Sequence, residues 1–143
     1  MQEVHLQLQA ELQSRDRSMS EIRKEGKSRM IHRLCTEVAD DYGVIAGIIF
    51  YHIGYWVEKN RKEGHNLHAC RYWMYTTVKE MAEKTFYYLT ENQIRYALSK
   101  LREGGVIETG NYNKTTYDRT IWYTLTEKGQ YIWESCKKEP ETI

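Results

Sequence analysis

Proline is almost missing from this chain: the one residue, Pro140, lies close to the C-terminus, so no proline-rich linker divides the sequence. Net charge is almost missing too. Lys and Arg number 21 against 20 Asp and Glu, a formal balance of +1. No overall field draws the chain to nucleic acid, and any such surface must come from local placement. The cysteines, Cys35, Cys70 and Cys136, are odd in number and widely spaced, which argues against a disulfide framework. There is no apolar leader and no membrane-length apolar run. The stretch "VIAGIIFYHIGYWV" has His52 in its middle and is too short to cross a bilayer, so it reads as a buried helix. The expectation is a cytoplasmic protein with reduced thiols and no membrane partner. Also missing are a Gly-rich phosphate loop, a nucleophile elbow and a paired-carboxylate pattern, so neither catalytic residues nor a cofactor are expected. His65, His68 and Cys70 are the closest approach to a metal cluster. Their spacing matches no common zinc motif and no fourth ligand follows, so they read as a surface loop.

What is present organises into a tail and one domain, as 143 residues permit. Residues 1–36 are polar and mixed in charge. Val4, Leu8 and Leu12 fall at helical spacing there, and the segment reads equally as a loosely ordered tail and as a docking or dimerising arm. Residues 37–137 carry the domain and 138–143 a short tail. The first strong helix is expected from about Thr36 to Glu63, with Ile45, Ile48, Ile49, His52, Ile53 and Trp56 on its stripe and Gly64 as its stop. "RYWMYTT", residues 71–77, reads as one strand. "TVKE" (Thr77 to Glu80) and "TENQ" (Thr90 to Gln93) are capping boxes opening two helices, the second ending at Gly104-Gly105. "VIETGNY" and "RTIWYTL" then read as strands around "NKTTYD", and "TEKGQYIWESC" as a last helix with Tyr131 and Ile132 inward. The class is α+β, mainly α. The order of elements fits a winged helix-turn-helix: a short strand, a helix pair, a two-stranded wing and flanking terminal helices.

At 100° per residue, Ile94, Ala97, Leu98 and Leu101 share one side of the 90–103 helix. The other side and its edges offer Asn92, Gln93, Arg95, Tyr96, Ser99 and Lys100, residues able to pair with base edges in a major groove. The wing carries Asn113, Lys114, Thr115, Thr116, Tyr117 and Arg119, two cations among amides and hydroxyls at the height of a phosphate backbone. Double-stranded DNA is therefore the expected partner. Residues 77–128 nonetheless hold eight basic and seven acidic residues. Binding by a single copy should be weak, and a homodimer is expected to raise it.

The run "WVEKN" (Trp56 to Asn60), "GHN" (Gly64 to Asn66), "RYWMY", the helix pair, "GVI" and "GNYNKTTYDRTIWY" resembles the N-terminal winged-helix domain of phage and plasmid replication initiation proteins of Firmicutes, the replisome-organiser and DnaD-like proteins. The resemblance spans about residues 37 to 130, and the wing motif is its specific part. It implies DNA contacts at Asn92, Gln93, Arg95, Tyr96, Ser99 and Lys100 and at Asn113, Lys114, Thr115 and Arg119. Trp122 and Tyr123 would set the hairpin on the core, and replication proteins would be partners. Many relatives continue into a second helical domain, which these residues do not supply. The same surface would serve a transcriptional repressor equally. Twelve tyrosines and four tryptophans also suit a protein-interaction scaffold.

Overall fold

The computed structural model describes residues 29–138. The arm stripe of Val4, Leu8 and Leu12 and the tail 139–143 lie outside the described residues.

The long expected helix is two helices, α1 (Thr36–Tyr42) and α2 (Val44–Glu63), parted at Gly43. Gly43 has φ 105° and ψ 159°, a conformation open to glycine and costly for any residue with a Cβ. A helix cannot run through it. The break folds α1 back on α2, so closely that a Cβ on Gly47 would lie 2.8 Å from that of Ala39. Cys35, one residue before α1, is already buried, and His32 packs its ring on Phe86 at 4.9 Å. The packed domain therefore begins inside the segment expected to be arm.

The buried stripe of α2 is Ala46, Ile49, Phe50, Ile53, Val57 and Asn60. That stripe is rotated from the expected one: Trp56 is 37% exposed. His52 lies at the edge of the core against Phe86, and burial pushes its pKa down to about 4. Asn60 is buried because its amide donates to the Trp73 carbonyl at 2.8 Å, pinning the end of α2 to the strands that follow.

"RYWMYTT" is not one strand. Arg71–Tyr72 (β2) pairs antiparallel with Leu67–His68 (β1), whereas Met74–Thr76 (β3) joins a second sheet. Trp73 divides them, its N–H spent on the Asn66 carbonyl and its C=O on Asn60. Next comes α3 (Val78–Glu80), continued by a π-helical turn, Met81–Thr85. Its capping box is half made: Thr77 Oγ1 accepts from the Glu80 N–H, but the Glu80 carboxylate accepts from Thr76 Oγ1 instead of reaching back to the backbone. The recognition-type helix α4 (Glu91–Glu103) has the complete box, with Thr90 Oγ1 accepting from Gln93 N–H and Gln93 Oε1 accepting from Thr90 N–H.

After α4 the chain turns at Gly104 and Gly105, the latter at φ 69°, into β4 (Ile107–Gly110), the wing loop and β5 (Ile121–Leu125). The sheet order β3-β5-β4, all antiparallel, together with the helix pair ahead of it, is the winged helix-turn-helix topology. Met81, Phe86, Ile94, Leu101, Val106, Tyr123 and Leu125 meet the α2 stripe in one core. The last helix, α5 (Glu127–Cys136), closes it with Gly129, Ile132 and Trp133. Tyr131, expected inward, is 80% exposed: at about 100° per residue it falls on the side of the helix opposite Gly129 and Trp133, which with Ile132 set the buried face. Among the described residues no helix is long and apolar enough to cross a membrane.

Candidate nucleic-acid interface

Helix α4 buries Ile94, Ala97, Leu98 and Leu101, the four residues its periodicity selects, and turns the rest outward. Asn92, Gln93, Arg95 and Tyr96 are exposed; Ser99 and Lys100 are half-buried on the same element. Their side chains are not equally available. Gln93 gives its carbonyl oxygen to the capping box, leaving its amide donors. Arg95 lies 3.9 Å from Glu91, and the Arg102 guanidinium donates to Ser99 Oγ at 3.4 Å. The Lys100 ammonium stands 4.9 Å above the Tyr96 ring, a cation–π contact that keeps the charge on the outer face. Asn92 and the Tyr96 hydroxyl carry no such internal commitment among the described residues, and Tyr96 is 64% exposed. They are the free polar groups of the helix's outer face.

The wing sorts its residues differently from the expectation. Lys114, Thr115 and Arg119 are exposed on the loop, together with Tyr117, which is 92% exposed and was not among the expected contacts. Neither Lys114 nor Arg119 has an ion-pair partner among the described residues. In particular Arg119 does not pair with Asp118. The Asp118 carboxylate accepts from Thr120, through a 2.9 Å bond with its N–H, and these bonds hold its pKa below the ordinary range.

Asn113 turns into the wing instead of away from it. Its amide donates to the carbonyls of Asp118 (3.2 Å) and Thr120 (2.7 Å), and its oxygen accepts from Trp122 Nε1 (2.7 Å). Its backbone N–H donates to Asn111 Oδ1 at 2.9 Å. Both amide donations and one of the two acceptor sites of the oxygen are spent in closing the loop. Trp122 and Tyr123, by contrast, are buried and hold the returning strand.

The β1–β2 hairpin, whose His68 and Cys70 read from the sequence as a surface loop, is built against the wing. Its two-residue turn, Ala69-Cys70, has φ of 52° and 61°, the left-handed pair of a type I′ turn. Those positions favour Asn-Gly. Alanine and cysteine there cost roughly 1–2 kcal/mol each and give no turn signal in the sequence. His68 stacks on Tyr112 at 4.4 Å and 11°, and its ring meets Trp122 edge-on at 5.1 Å. Trp73 Nε1 donates to the His68 carbonyl, and Arg71 bonds the Glu108 carboxylate of β4 at 2.7 Å. That bond holds the Glu108 pKa below the usual range and raises that of Arg71. No group of three His, Cys, Asp or Glu residues able to hold a metal occurs among the described residues.

No family model matches the sequence, and no curated protein does. Among solved structures, a mutant of Lactococcus lactis ZitR is similar at 14% identity over 90% of this chain and 71% of that one, with a TM-score of 0.41. Wild-type ZitR in complex with DNA is similar at 17% identity over 86% and 70%, with a TM-score of 0.39.

Proposed function

We propose that this chain is a non-catalytic duplex-DNA-binding protein, reading bases with α4 and gripping the backbone with the wing. The supporting observation is the outward face of α4, where Asn92 and Tyr96 stand uncommitted opposite the buried Ile94, Ala97, Leu98 and Leu101. Asn offers paired donor and acceptor to adenine, and a phenol hydroxyl donates or accepts at a base edge. The unpartnered Lys114 and Arg119 on the wing supply charge of the kind that meets phosphate.

Occupancy alone suffices to regulate transcription, because a protein seated on a promoter excludes polymerase. An initiator must also recruit or open, which the α4 face and wing do not by themselves perform. We therefore place transcription regulation first and replication initiation second, the latter favoured by the "GNYNK" and "DRTIWY" wing motif. Mapping bound sites across the genome separates them: promoter sites support the first, a cluster of repeated sites at an origin the second.

The interface makes two separable predictions. Asn92→Ala and Tyr96→Ala should each weaken binding to the preferred site by about 1–3 kcal/mol while leaving non-specific binding nearly intact. Titration of specific and scrambled duplexes reads this directly, and equal losses on both would mean the face does not read bases. Replacing Lys114 and Arg119 together should weaken every duplex alike. It should also reduce the slope of log affinity against log salt by about two, one per phosphate contact. Both side chains are exposed and unpaired, so the melting temperature should hardly move. An unchanged salt slope would remove the wing from the interface.

A further inference from the structure

Lys114 and Arg119 act from a ten-residue loop, and a loop that long orders on binding at an entropic cost unless something holds it beforehand. From inside it is closed by Asn113. From outside, the β1–β2 hairpin lays the His68 ring parallel on Tyr112, the first aromatic residue past β4, and edge-on to Trp122, the second residue of β5. Trp73 completes the cluster, its ring 5.1 Å from Tyr112 and its indole N–H on the His68 carbonyl. Gly110 has its α-carbon so near this cluster that a Cβ would come within 3.0 Å of the Trp73 ring. The left-handed Ala69 and Cys70 show that the hairpin is kept in a conformation its own residues disfavour.

We infer that His68 is a positioning residue for the wing, and that the β1–β2 hairpin braces the loop in advance against a rigid double-stranded partner. The functional half of this rests on the duplex-binding reading above. Phosphates on a duplex stand at fixed spacing, so a preset wing meets them without further ordering. A single strand adapts to either a fixed or a loose wing and gains nothing from the brace.

The test compares the wild type with His68→Ala and His68→Phe, the latter keeping a flat ring on Tyr112. Hydrogen exchange at residues 111–120 reports wing order without any ligand. Titrations with a duplex and with a single strand of the same sequence report its use. In His68→Ala we expect faster wing exchange, a duplex affinity lower by about two- to tenfold, an unchanged salt slope and an unchanged single-strand affinity. His68→Phe should restore both exchange and duplex affinity. Wild-type exchange in His68→Ala overturns the brace. So does faster exchange with undiminished duplex affinity, since the wing's order would then be irrelevant to binding. If the wild type binds no duplex, the DNA reading fails by itself, and the exchange comparison still decides whether His68 holds the wing.

Discussion

Asn113→Ala is expected to dissolve the wing and with it most of the duplex affinity, because the Asn113 side chain turns inward and closes the loop. Alanine removes the two amide donations to the Asp118 and Thr120 carbonyls and strands the Trp122 indole N–H, whose ring is buried. A polar group left without a partner away from water costs about 1–3 kcal/mol. The Trp122 N–H sits under the loop, so a loss of about 2–3 kcal/mol in stability follows, concentrated in the wing. Asn113→Asp is the sharper variant. It keeps acceptors for the indole but replaces donors by charge facing two carbonyl oxygens, so it should be no better than alanine. Thermal melts, with wing exchange as a local readout, check both. An Asn113→Ala protein with wild-type melting and wild-type duplex affinity would mean that the loop is held without this side chain.

The same residue shows where the sequence stops being readable. An asparagine at the start of "NKTTYD" between two strands is equally a turn former, a phosphate contact or a clasp. The choice is made by the Thr120 carbonyl and the Trp122 indole, seven and nine positions away. No spacing rule encodes them. The β1–β2 hairpin was hidden for a related reason. Its turn uses Ala69-Cys70 where a glycine or asparagine would have announced it, and the contact of its His68 with Tyr112 is identified only by the three-dimensional stack. Gly43 failed in the opposite direction, since one glycine in an apolar helical run is tolerated often enough that its positive φ cannot be inferred.

The buried face of α4, in contrast, was legible. Its apolar residues recur at helical period, its start is a local box between Thr90 and Gln93, and its stop is a double glycine. Every one of those signals acts within four residues. The wing strands were legible because "RTIWYTL" is a run of β-branched and aromatic residues behind a polar turn, and the strand it forms is buried from Trp122 to Leu125. Local signals placed the elements, and contacts distant in sequence decided which polar side chains remained free.

One such distant contact ties the start of α5 to the turn after α4. Gly129→Ala is expected to be the most destabilising single change at a glycine, by about 2–4 kcal/mol. Gly129 lies in the first turn of α5, where its N–H donates to the N-cap Thr126 Oγ1 at 3.0 Å. Thr126 in turn bonds the Gly105 carbonyl and gives its own N–H to the Val106 carbonyl. The start of α5 is thus laid across the turn that ends α4, and a Cβ on Gly129 would stand inside the van der Waals envelope of the Val106 carbonyl oxygen. That oxygen is backbone at the entrance to β4 and cannot rotate aside. Alanine's better helix propensity returns about 1 kcal/mol, too little to offset the displacement of α5. Gly64→Ala is the control. Gly64 has φ 73° and open space around its Cβ position, so it should lose only about 1 kcal/mol, from backbone strain alone. A fall in melting temperature of roughly 10–15 °C for Gly129→Ala, against a few degrees for Gly64→Ala, is the expected result. Equal shifts would mean that α5 stands off the turn and that the Thr126 cap, not the close approach at Gly129, fixes it there.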